Sequence, residues 1–187
     1  MRTLCWVVIL FLTACSWRSP NAEFYVMNSS GLDTISDKSV RIAVAAVKAP
    51  DLLNRQQMVV YDKTGDRVQI LEFERWAEIF PDMLQNTVTN DLKEYLPKAY
   101  VKRTRFDSNS FDYGVNIEIN EMRVYRNEKA VLSVWCNISD KSGKIIKRIQ
   151  KEYETAVFGD KIPDLVAAQN RAVHLLSEDI AGYIARL

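Results

Sequence analysis

The chain has 187 residues, 48% apolar and 26% charged, with 25 Lys and Arg against 24 Asp and Glu. Those proportions describe an ordinary globular chain and argue against a disordered tail, a collagen-like fibre or a polytopic membrane protein. The formal net charge of +1 leaves no basic excess to neutralise a phosphate backbone, which weakens any nucleic-acid reading.

The chain opens with Met1-Arg2-Thr3 and then an unbroken apolar run from Leu4 to Leu12. A membrane-spanning helix needs about 20 apolar residues, so this shorter run reads as the hydrophobic part of an export signal. Leu12-Thr13-Ala14-Cys15 follows, which looks like a bacterial lipobox: an aliphatic residue, two small ones, then the cysteine that is acylated before cleavage. The expectation is a signal peptide over 1–14, a lipidated Cys15 opening a spacer over 15–22, and one domain over 23–187. One acyl chain binds a bilayer only marginally. A diacylglyceryl group plus an amide-linked chain such as palmitate holds stably, at about 0.8 kcal/mol per buried methylene. Cys15 is therefore read as a tether. Ser16 stands after it where an Asp would signal retention, which by resemblance to lipoproteins of the Gram-negative envelope implies the periplasmic face of the outer membrane. Of the three cysteines, Cys5 leaves with the signal and Cys15 is acylated, so Cys136 remains alone and no intramolecular disulfide forms.

Glu23 to Met27 is a short strand candidate, and Ser39 to Val47 alternates with Val40, Ile42 and Val44 on one face. Gln57 to Tyr61 and Arg67 to Phe73 are extended runs joined by a turn containing Gly65. From Pro81 the apolar spacing becomes helical, through Met83, Leu84, Val88, Leu92 and Tyr95, and Pro97 ends it. Tyr100 to Arg103 is extended. A long strand then runs from Phe111 to Arg126, in which Phe111 to Ile119 keep one parity while Met122 and Val124 take the other, so a β-bulge is expected near Asn120-Glu121. Turns at Asn127-Glu128 and Asp140 to Gly143 continue this into a three-strand antiparallel meander ending near Phe158. A second amphipathic helix follows Pro163-Asp164, with Leu165, Ala168, Ala172, Leu176, Ile180 and Ile184 on its apolar stripe. The predicted fold is a two-layer α+β sandwich: a mainly antiparallel sheet of about seven strands with two long amphipathic helices.

Little in the chain points to catalysis. The sole histidine, His174, is read as facing water, opposite the apolar stripe of its helix. Cys136 shares the parity of Leu132 and Val134 and is read as a small core residue. Glu72, Glu74 and Glu78 are read as one solvated face. No phosphate loop, nucleophile elbow or metal-ligand spacing is found, so neither cofactor nor metal is expected and the chain is read as no enzyme.

One segment stands apart: Leu71 to Glu78 sets Phe73, Arg75 and Trp76 where a strand gives way to a helix. Trp and Arg dominate interface hot spots, while the plainer reading has Phe73 and Trp76 filling the core between sheet and helix. Together with Phe24-Tyr25-Val26-Met27 soon after the lipobox, and Leu52 to Val60, this segment resembles the ABC-type transport auxiliary lipoprotein family (PqiC-like outer-membrane lipoproteins). The resemblance implies a non-enzymatic lipoprotein at the outer membrane, facing the periplasm. It would work with a mammalian-cell-entry-type (MCE) conduit protein and its inner-membrane component in lipid transport and envelope integrity. It also implies that Arg55 and the Arg75–Trp76 pair, with Phe73 beside them, are partner contacts. Two other readings stay open: a carrier that holds an acyl chain in its own apolar pocket of several hundred cubic ångströms, and a homo-oligomer.

Overall fold

In the computed structural model, which describes residues 20–29, 31–105 and 110–187, the elements follow the expected order. They are β1 (Glu23–Tyr25), β2 (Arg41–Val44), β3 (Gln57–Tyr61), β4 (Val68–Trp76), α1 (Phe80–Tyr95), β5 (Tyr100–Arg103), β6 (Tyr113–Val124), β7 (Lys129–Asp140), β8 (Ile145–Ala156) and α2 (Ile162–Arg186). The lipobox, Cys15 included, lies outside the described residues.

The α+β architecture is as expected, but there are eight strands rather than seven, and they divide into two mixed sheets. The larger has the order β5-β2-β6-β7-β8: β2 is parallel to both β5 and β6, and the meander β6-β7-β8 is antiparallel. The smaller has the order β1-β4-β3, with β1 parallel to β4. A short strand can pair in parallel only with a partner distant in sequence, and alternation within a run carries no mark of that distance.

The bulge falls where the parity slip demands it, with the β6–β7 register shifting between Ile119 and Glu121. Because the shift restores phase, Ile117, Ile119, Met122 and Val124 all reach the same core. The hairpin that follows takes Asn127 at φ +56°, a conformation Asn tolerates.

Both helices pack on the larger sheet and run side by side in the same direction. Residues 28–29 and 31–38 cross their seam as a strap. Asn170 Nδ2 donates to the Asn28 carbonyl at 3.0 Å, and Ser29 Oγ donates to the Thr87 carbonyl at 3.2 Å. Further along, Ile35 N–H donates to the Tyr95 carbonyl at 2.8 Å and Lys38 Nζ to the Ile184 carbonyl at 3.2 Å.

His174 corrects the sequence reading. It sits between the helices, with Nδ1 2.8 Å from Oδ2 of Asp91, a residue with no exposure at all. The stripe of α2 faces the sheet, but α1 covers a second face of that helix, and His174 lies on it. A buried carboxylate demands a partner, and here the partner comes from the other helix.

The start of α2 depends on one glycine. Gly159 has φ +144°, and a Cβ there would stand 2.1 Å from Oδ2 of Asp164. That same oxygen accepts the Lys161 N–H at the helix start. Gly159→Ala is therefore expected to destabilise the domain by about 1–3 kcal/mol, read as a lower urea midpoint at unchanged slope. An unchanged midpoint would mean that the turn adjusts freely.

Candidate functional site

The residues singled out in sequence gather at the C-terminal end of β4, on the sheet that contains β1, the first described element after the lipobox. The register pairs Glu23 with Glu74, Phe24 with Arg75 and Tyr25 with Trp76. Register partners in a parallel pair point to one side, and a strand residue two positions away returns to the same face. Phe24, Arg75 and Phe73 therefore share a face. It is wet: Phe24 is 58% exposed and Phe73 39%. Arg75 is held across this face by its own strand, its Nε donating to the Glu72 carbonyl at 2.7 Å while a terminal nitrogen lies 3.9 Å from the Glu72 carboxylate.

Trp76 points the other way. It is 3% exposed, its ring centroid lies 5.7 Å from that of Phe80, and its backbone N–H donates to the Gln56 carbonyl at 2.7 Å. The plain reading thus holds for Trp76 and fails for Phe73. Residues three apart on a strand face opposite sides, and an irregularity in the ladder decides which side is the core: Gln57 pairs with Arg75 but Met58 with Leu71, so Glu72, Phe73 and Glu74 stand against no residue of β3, and Leu71 and Trp76 both reach the core.

Arg55 lies beside this corner, in the loop before β3. Its carbonyl accepts the Phe80 N–H at 3.3 Å, while its own Nε is buried and makes no hydrogen bond. A buried donor without an acceptor costs about 1–3 kcal/mol, so Arg55 has an unmet demand for an acceptor. Arg55, Phe73 and Arg75 are therefore brought to one corner, with Trp76 beneath them as support. Phe24, which the sequence reading placed only in a strand, joins them through a pairing across fifty residues.

The acidic residues do not converge. Glu72 turns to Arg75, Glu78 accepts from Asn86 Nδ2 at 2.9 Å, and Glu74 aligns with Glu23. Among the described residues no cluster of His, Cys, Asp and Glu could hold a metal ion. Cys136 is fully buried, and burial pushes its thiol up to about 12. A thiol so protonated is a poor nucleophile. The cavity that reaches the core beneath Trp76, bounded by Leu53, Val59, Phe80 and Met122, holds about 10 Å³. An acyl chain needs hundreds.

The fold is an α+β sandwich with two exposed aromatics, Phe24 and Phe73, and a part-exposed Arg75 at the end of the β1–β4 pair. Residues 27–181 match the family model of the ABC-type transport auxiliary lipoprotein component, and the chain belongs to that family. Two solved structures share the fold. Protein XCC0632 from Xanthomonas campestris aligns with a TM-score of 0.73 at 15% identity, over 88% of this chain and 95% of its own. An uncharacterized protein aligns with a TM-score of 0.72 at 18% identity, over 88% of this chain and 99% of its own. A search of curated proteins finds no match. No helix among the described residues is long and apolar enough to cross a membrane.

Proposed function

We propose that this auxiliary lipoprotein is a non-enzymatic docking piece. Cys15 tethers it to the periplasmic face of the outer membrane, and the corner formed by Phe24, Arg55, Phe73 and Arg75 receives the end of an MCE-type conduit in a PqiABC-like lipid transport system. The observation that carries this reading is the exposure of Phe24 and Phe73 beside a strand-braced Arg75. Aromatic and Arg side chains supply most of the energy of protein interfaces, because they desolvate much area while fixing few torsions. Family membership supplies the transport setting.

Tethering makes a weak contact sufficient. Confinement to a thin layer at the membrane raises the effective concentration of one surface for the other. The corner is tested by pull-down of the MCE-type conduit protein of the same organism with wild type, Phe73→Ala and Arg75→Ala. Each variant is expected to lose at least about tenfold in affinity, that is about 1.4 kcal/mol, with the urea midpoint unchanged. Equal recovery by all three proteins would remove the corner from the interface.

A further inference from the structure

A groove lies elsewhere, between the outer face of α1 and β5, with a volume of about 820 Å³. β5 is an edge strand of the larger sheet. Tyr100 N–H donates to the Val40 carbonyl and Thr104 N–H to the Val44 carbonyl, both at 2.8 Å. Alternation along a strand then turns the N–H and C=O groups of Val101, itself only 6% exposed, and of Arg103 away from β2, at the side of the strand that no described strand pairs with. The edge is held rigid, since Gln85 Nε2 from α1 donates both to the Val44 carbonyl at 2.9 Å and to the Thr104 carbonyl at 3.1 Å. Thr104 Oγ1 is buried beside it with no hydrogen-bond partner.

Charge selects what fits. Lys93, Lys102, Arg103 and Arg105 line the groove, against Glu78 and Asp82. Among the described residues none of Lys102, Arg103 and Arg105 forms an ion pair, although exposed Lys and Arg elsewhere on the surface do. Natural edge strands are commonly blunted by charge, proline, a bulge or a covering element. Among the described residues β5 has neither proline nor a register shift, and its guard is charge: Lys102 and Arg103 repel a basic strand and leave an acidic one as the fit.

We propose that this groove binds an extended acidic segment of a partner protein, which adds a sixth strand to the larger sheet at β5. Main-chain hydrogen bonds to Val101 and Arg103 give the affinity, and carboxylates at alternate positions meet the cations. This surface is separate from the corner of β1 and β4, so either can fail without the other.

The test uses the purified full-length chain and fluorescein-labelled eight-residue peptides read by fluorescence anisotropy. One peptide alternates Glu with Val, a second alternates Lys with Val, and two more repeat the first with N-methyl groups on alternate residues, one for each phase. The Glu peptide is expected to bind, more weakly as salt rises, and to slow amide exchange at Val101 or Arg103. The Lys peptide and at least one N-methylated peptide are expected to bind at least about tenfold more weakly. The exposed double change Arg103→Glu with Arg105→Glu is expected to cost the Glu peptide a similar factor. If that variant does not fold, the N-methylated peptides still decide the matter on the wild-type protein. Equal binding of the Lys peptide, indifference to both N-methylation patterns, or no peptide binding would each overturn the proposal. So would capture of anionic phospholipid vesicles in place of the peptide.

Discussion

Cys15→Ala is expected to move the protein from the membrane fraction to the soluble fraction and to leave cells more sensitive to detergent. No described helix spans a bilayer, so on the docking reading the acyl chains carry the whole attachment. A single chain gives an association constant on the order of 10⁴ per molar, and further chains at about 0.8 kcal/mol per methylene multiply it. Removing all of them should change the membrane partition by far more than about a hundredfold. Mass analysis of the mature amino end provides the complementary reading, with a triacylated cysteine expected. A variant that fractionates like the wild type would show that the tether lies elsewhere, and the docking model would lose its starting point.

Trp76→Ala carries the second large effect, and it falls on stability. The indole is 3% exposed and packs on Phe80 over a cavity of only about 10 Å³. Truncating a buried aromatic to Ala costs about 3–5 kcal/mol, through lost transfer energy and the void left behind. For a domain of this size that lowers the melting temperature by on the order of 10 °C. Phe73→Ala, on the open face of the same strand, should change stability by less than about 0.5 kcal/mol. The pair therefore separates folding from docking: loss of partner binding in Trp76→Ala reports damage to the corner, whereas loss in Phe73→Ala reports contact. A Trp76→Ala protein as stable as the wild type would place the indole outside the core.

Helices and meander were legible because their signals are local. The spacing of Met83, Leu84, Val88 and Leu92 declares α1, and the parity slip between Ile119 and Met122 declares the bulge that the ladder contains. What could not be read depends on distant partners. The division into two sheets follows from the parallel pairings of β1 with β4 and of β2 with β5 and β6, and nothing in Glu23-Phe24-Tyr25 names its neighbour. That Leu71 and Trp76 both reach the core while Phe73 faces out follows from the mismatch of β3 against β4, invisible in either strand alone. His174 was misplaced for the same reason, since its partner Asp91 is 83 residues away. A single charged residue among the apolar positions of α1 is the one local hint, and it does not say where the counter-ion stands.

The strap and the strand before it have a mechanical consequence. On the docking reading, seven residues, 16–22, lie between an acylated Cys15 and β1, and the eight Cα–Cα steps from Cys15 to Glu23 span at most about 28 Å. A tug from the bilayer then reaches Glu23 once that short spacer is taut. Because β1 runs parallel to β4, that force shears the ladder, loading its bonds together instead of unzipping them one by one. The residue of the load then passes through Asn28 and Ser29 to both helices at once, so the body answers traction on its leash as one piece.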